Sequence, residues 1–287
     1  VDLMTTTLPA SIGIVGGVGP WVDVVLLRKL LAEQAARGAV RDQDGVPTLL
    51  AQCPALIADR TAYLVRRGRP DAPGNPGVGA ARVARALIDD GAVVIGIPCN
   101  TFHSPEIFDA FREALRGAPV RIVHMVEEAL SGIRRDFPAV RKVGVLSTNG
   151  TYRFRIYADA LEASGAEALT LAYRAAEPPE AEQTRRKDAI LAGDAAVTQN
   201  DVHHAIYHGA WGIKSGREAS AGYPTARAVL EAALRELAGR GAEAVILGCT
   251  ELALVLSDTG DGGPALVDPL DALARGLLDA YREATRT

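Results

Sequence analysis

The sequence predicts an α/β fold built on mainly parallel sheet, and three observations predict it. Short, continuous runs rich in valine and isoleucine recur along the chain, the pattern of strands buried on both faces. Longer stretches with helical apolar spacing separate them, which makes βαβ units. The residues directly after four of the runs are glycine, cysteine, serine and threonine in unusual clusters. In sheets of this kind ligands bind beyond the carboxyl ends of the strands, so those clusters are where function is sought.

The predicted strands are Ile12–Val15, Thr48–Ala51, Ala92–Ile97, Arg121–Val123, Lys142–Leu146 and Ala244–Leu247. The predicted helices are Val22–Arg37, Gly77–Asp89, Ser104–Leu115, Met125–Arg135 and Thr225–Ala238, the last stopped at Gly239. Arg66–Gly79, Ala175–Arg186 and Asp258–Pro264 are rich in proline, glycine or charge and read as loops or irregular connections. The strand ends run in the order turn, cysteine, turn, cysteine. They are Gly16-Gly17-Val18-Gly19-Pro20, Pro98-Cys99-Asn100-Thr101, Ser147-Thr148-Asn149-Gly150-Thr151 and Gly248-Cys249-Thr250-Glu251. That order suggests two related halves.

Composition bounds the function. Of 287 residues 48 % are hydrophobic and 23 % charged, and the net charge is −4. These values suit a globular domain pair and give no basic stripe for nucleic acid and no membrane surface. The longest apolar runs fall far short of the ~20 residues a membrane helix needs. Val1–Ala10 lacks the pattern of a secretory signal, so a cytoplasmic location is expected. The three cysteines, Cys53, Cys99 and Cys249, are too few and too far apart for a disulfide framework or a metal site. Reduced thiols fit them better.

Two thiols at strand ends suit proton exchange at a stereocentre. Inverting an amino acid Cα removes a proton from one face and returns one to the other, with one thiolate and one thiol as the two bases. The cysteine pKa lies near enough to neutrality for either form to be reached. Backbone N–H groups of a strand-to-helix turn can stabilise a thiolate or bind the substrate carboxylate. Asn100, Thr101 and Thr250 add side-chain donors beside the thiols. Cys53, followed by Pro54 without such partners, reads as structural or pocket-lining. Gly17 and Val18 lie in a tight turn that brings backbone N–H groups to substrate. It is neither a dinucleotide fingerprint nor a phosphate loop, because Val22 stands at the third glycine position and no Gly-Lys-Ser/Thr follows.

At these residues the chain resembles the aspartate/glutamate racemase family, in its aspartate racemase branch, from about Ile12 to Asp268. The resemblance is carried by Ile12-Gly13-Ile14-Val15-Gly16-Gly17-Val18-Gly19-Pro20, by Pro54 with Asp59-Arg60-Thr61, and by Ile97-Pro98-Cys99-Asn100-Thr101-Phe102-His103. His124-Met125-Val126-Glu127-Glu128 and Lys142-Val143-Gly144-Val145-Leu146 with Gly150-Thr151 extend it. Ala205-Ile206-Tyr207, Trp211-Gly212-Ile213-Lys214-Ser215-Gly216 and Ala244 through Leu252 complete it. It implies two similar doubly wound domains with four-stranded sheets, pseudo-two-fold related, and an active site in the cleft between them. The expected division is 9–120 with 268–287, and 121–267. It also implies catalytic Cys99 and Cys249, no pyridoxal phosphate, no metal, an amino acid substrate and a homodimer. Arg60 matches a family arginine that reaches the substrate's side-chain carboxylate, and Lys214 matches a family lysine. Together they point to aspartate, glutamate or an analogue. Some relatives isomerise maleate, racemise hydantoins or decarboxylate, and a non-catalytic acidic-ligand sensor on the same fold is a further alternative.

Val18 replaces the usual methionine, Trp21 a smaller residue, Cys53 an asparagine and Asn149 a frequent aspartate. His204 and His208 have a metal-ligand spacing, but no cysteine or acid completes a set. His103 is expected to tune Cys99 or to pack at a helix start. Glu251 is expected either beside Cys249 or as a helix-start acid.

Overall fold

The computed structural model describes residues 8–257, 259 and 262–286. Val1–Thr7, part of the segment read for a signal, lie outside these, as do three residues of the Asp258–Pro264 loop. The first half of the chain runs β1 (Ser11–Gly16), α1 (Pro20–Ala36), β2 (Thr48–Gln52), α2 (Arg60–Arg66), α3 (Pro76–Asp89), β3 (Ala92–Gly96), α4 (Pro105–Ala114), β4 (Arg121–Ile122) and α5 (Met125–Asp136). The second runs β5 (Lys142–Ser147), α6 (Asn149–Arg153), α7 (Ile156–Ala163), β6 (Glu167–Leu169), α8 (Glu180–Ala192), α9 (Gln199–Tyr207), α10 (Pro224–Gly239), β7 (Ala244–Gly248), β8 (Ala265–Val267) and α11 (Pro269–Ala284).

Two compact units result. One holds the chain through Ala129 together with the segment from Leu270 on; the other runs from Leu130 to Pro269. Each is built on a four-stranded sheet, in the orders β2-β1-β3-β4 and β6-β5-β7-β8, and every strand pair is parallel. The expected parallel α/β architecture is therefore what forms, with the same strand order in both units.

Helices cover both faces of each sheet. In the first unit Val22, Leu26 and Leu30 of α1 and Leu270, Leu273 and Leu277 of α11 share one core with Ile12, Ile14 and Val94. A side chain on Gly96 would meet Leu277 at 2.8 Å, so α11 lies directly on the strand. On the other face a side chain on Gly13 would meet Leu87 of α3 at 3.4 Å. In the second unit Leu146, Val245 and Leu247 pack with Val202, Ala205 and Ile206 of α9 and with Val229, Leu230 and Ala233 of α10. Tyr157 of α7 approaches Gly248 from the opposite face.

The observed elements differ from the expected ones in four instructive ways. Helices α1, α3 and α10 begin one or two residues earlier than apolar spacing indicates, and α4 begins at Pro105 with Ser104 as its cap. All four have proline at the first turn, where its missing N–H costs nothing and its φ is already helical. Gly239 does not stop α10; it remains inside it, and the chain turns at Gly241 with φ +89°. Part of the Ala175–Arg186 stretch, read as irregular, belongs to α8. That helix buries only Ile190 and is tied down by charge, Arg186 Nε donating to Asp201 Oδ1 at 2.9 Å. Apolar periodicity cannot register such a helix. Strands β6 and β8, three residues each, are two further strands that the apolar runs did not reveal.

Candidate active site

Strand register places the unusual turns side by side within each unit. In the first unit Ile14 pairs with Gly96, so the glycine turn after β1 and the cysteine turn after β3 leave neighbouring strands at the same end. In the second, Ser147 pairs with Gly248, which does the same for the Ser147–Thr151 and Cys249 turns.

In the first unit the glycine turn is clamped. Gly17 has φ +85°, and a side chain there would run into the backbone nitrogen of Pro54 at 2.7 Å. Glycine is therefore required twice, for conformation and for the close approach of the chain leaving β2. The Gly17 N–H, expected to face substrate, instead donates to Asp23 Oδ2 at 2.8 Å. Asp23 is fully buried, and burial pushes its carboxyl above the usual range. Arg60 donates from Nη2 to the Val18 carbonyl at 3.1 Å, so Arg60 and Val18 do share this site. Cys53 is half-buried, with its backbone against Gly17.

Cys99 is buried and extended, at the entry to a short 3-10 turn, Asn100–His103. Its carbonyl accepts from the Phe102 N–H at 3.2 Å and from His103 Nδ1 at 2.9 Å. His103 Nε2 in turn accepts from the Met125 N–H at 3.2 Å. This fixes one neutral tautomer, and burial, with His124 beside it, pushes the His103 pKa down to about 3. His103 thus anchors the backbone of the cysteine turn. Asn100 and Thr101 are buried beside Cys99.

The second unit carries a chain of charges. By strand alternation Cys249 continues the face of Val245 and Leu247, toward α9 and α10, and it packs in that core. Its thiol donates to Glu251 Oε2 at 3.0 Å, as does the Thr250 hydroxyl at 3.2 Å. Glu251 Oε1 is paired with Lys214. The Lys214 ammonium lies 5.3 Å from the centre of the Tyr207 ring. Burial and then the Glu251 carboxylate push the Cys249 thiol well up. Burial pushes Glu251 the other way from its partners, but Lys214 and the Cys249 thiol prevail and hold it below the usual carboxylate range. Lys214, though buried, is raised by Glu251, Cys249 and Tyr207. Cys249 therefore rests as a thiol with its proton on an ionised acceptor. The helix dipole expected to favour a thiolate is weak here, because both cysteines precede single 3-10 turns, Asn100–His103 and Thr250–Leu254.

Sequence reasoning missed several residues. Asp23 lies on the stripe Asp23, Leu26, Leu30 and Gln34, all buried, and that spacing was its signal. Gln199 is fully buried and donates to the Ser147 carbonyl at 2.7 Å, and His203 Nδ1 accepts from the Asn149 N–H at 3.4 Å; neither had a signal. His204 pairs with Glu177, and His208 stacks on Trp211 at 4.7 Å. Among the described residues no group of three or more His, Cys, Asp or Glu could hold a metal, and no helix is long and apolar enough to cross a membrane.

Each unit thus carries a parallel sheet with a cysteine turn at the end of one of its strands. The sequence matches the model of the Asp/Glu/Hydantoin racemase family over residues 15–206 and 209–277, and the chain belongs to that family. Its fold is shared by the Picrophilus torridus aspartate racemase, at 23 % identity and TM-score 0.65, covering 95 % of each chain. An aspartate racemase homologue of Pyrococcus horikoshii matches at 21 % identity and TM-score 0.60, over 95 % of this chain and 99 % of that one. The glutamate racemase of Francisella tularensis, solved with D-glutamate, matches at 17 % and 0.51, over 96 % and 81 %. The protein is accordingly an isomerase, a racemase.

Proposed function

We propose that the chain is a cofactor-independent racemase that inverts the Cα of an acidic amino acid, aspartate, glutamate or a close analogue, with Cys99 and Cys249 as the two bases. The observation that carries this reading is the Cys249 thiol seated on Glu251 at 3.0 Å, with Lys214 on the far oxygen. A merely packed cysteine needs no ionised acceptor. In one direction the Cys99 thiolate removes the Cα proton and the Cys249 S–H returns one to the opposite face. In the other, Cys249 first loses its proton through Glu251 to solvent while Cys99 takes one up from solvent, after which Cys249 is the base and Cys99 the acid. Each half-reaction conserves protons, and the reset between them exchanges one with solvent.

The remaining roles follow from chemistry. Asn100, Thr101 and Thr250 are donors for the α-carboxylate, which gathers charge as the proton leaves. Arg60, beside Val18 in the glycine turn, suits a side-chain carboxylate through paired N–H donors. Lys214, paired with Glu251 in this structure, is the second candidate to hold the substrate side chain. The reading includes a homodimer and the cytoplasm, where thiols stay reduced. Sedimentation reads the first and fractionation the second.

The test is optical and isotopic. Pure L-aspartate and L-glutamate should lose rotation on incubation, with solvent deuterium entering Cα in D₂O. Full activity retained by a Cys99→Ser, Cys249→Ser double variant would rule the mechanism out.

A further inference from the structure

Helix α9 carries a row of side chains the reaction has not used. Gln199, His203 and Tyr207 are four residues apart and share a face of the helix. Gln199 holds the Ser147 carbonyl, and His203 accepts the Asn149 N–H, so this face grips the turn after β5. One turn further on, the rings of His203 and Tyr207 lie 4.8 Å apart. The Lys214 ammonium then sits over the Tyr207 ring. The α9 face thus leads, through a single aromatic ring, to the lysine that neutralises Glu251.

We propose that Tyr207 is a positioning residue whose ring, backed by His203, seats Lys214 on Glu251 and so keeps Glu251 ready to take the Cys249 proton. This rests on the two-cysteine reading above. A lysine side chain is long and flexible, and fixing it costs rotamer entropy. A single contact with one carboxylate oxygen does not fix it; an aromatic face beneath the ammonium narrows its freedom and attracts its charge. The charged and titratable groups facing Lys214 are Glu251, Cys249 and Tyr207. His203 stays neutral, burial pushing its pKa down to about 4, so it backs the ring without adding charge. Tyr207 is 45 % exposed, so shortening it opens no sealed cavity.

The test compares Tyr207→Leu with Tyr207→Phe. Loss of the ring should lower kcat about tenfold, the scale of a partly desolvated cation–π contact, and move the acid limb of the pH–kcat profile to higher pH, with KM little changed. Tyr207→Phe keeps the ring and should keep both kcat and profile. A second readout needs no substrate. In a Cys53→Ser, Cys99→Ser background only Cys249 remains, and its thiolate absorbance can be titrated near 240 nm. Adding Tyr207→Leu should shift that titration upward, because a loosened Lys214 no longer offsets Glu251; adding Tyr207→Phe should not. Wild-type kcat, limb and titration in Tyr207→Leu, or equal damage from Leu and Phe, overturns the proposal. A wild-type protein that exchanges no Cα proton defeats the two-cysteine reading instead, and leaves the titration to decide the placement of Lys214.

Discussion

The two cysteine turns share a sheet position and a 3-10 exit, yet they are held by opposite means. Around Cys99 the support is neutral and aimed at the backbone: His103 grips the carbonyl, and its depressed pKa, about 3, keeps it uncharged. Around Cys249 the support is ionic and aimed at the sulfur: Glu251 accepts from the thiol and Lys214 pairs with Glu251. Like strands with like turns therefore do not make like thiols. The two turns are supported by different residues, His103 within the turn in one case and Lys214 from the segment after α9 in the other.

The largest way to break this comparison is to remove each sulfur. Cys99→Ala and Cys249→Ala should each reduce racemisation by about 10²–10⁴-fold, the usual weight of a general acid or base. A loss confined to one of them would reduce the pair to a single-base enzyme. Next comes Glu251→Gln, which keeps the shape but cannot take a proton. It should cost about 10²-fold in kcat/KM, the same in both directions because the enantiomers interconvert with an equilibrium constant of one; a variant as active as the wild type would contradict the relay.

The third contrast is in pH. Transfer from Cys249 needs Glu251 ionised, and Lys214 holds that carboxyl below its ordinary range. Activity should thus persist above this depressed pKa and fall as pH drops through it. Lys214→Met should move the fall to higher pH, as a pH–kcat profile would show. The smallest effect belongs to the neutral side. His103→Leu removes two buried hydrogen bonds and should cost roughly 2–3 kcal/mol of stability in denaturant titration, without moving the acid limb. A shifted limb in that variant would mean that both turns, not one, respond to protonation.

Much of this was legible in the residues. Valine and isoleucine runs revealed six of the eight strands among the described residues, because buried parallel strands read as unbroken apolar runs. Both cysteine turns announced themselves by falling at strand ends. What did not show was contact across long stretches of sequence. Nothing near Lys214 says that it meets Glu251, and nothing near Gly17 says that its N–H is taken by Asp23. Helix α8 escaped for a different reason: the side chains that tie it down are charged, and their partner Asp201 is supplied by the next helix. Proline starts were visible letters whose meaning lies in φ, which apolar spacing ignores.

The most direct test of paired bases is the position of the label in the first turnover. In D₂O, starting from protiated L-aspartate or L-glutamate, newly formed D-enantiomer should carry deuterium at Cα while the remaining L-enantiomer stays protiated, since each thiol serves only one face. Equal labelling of both enantiomers from the outset, or product that keeps its original proton, would contradict two opposed sulfurs.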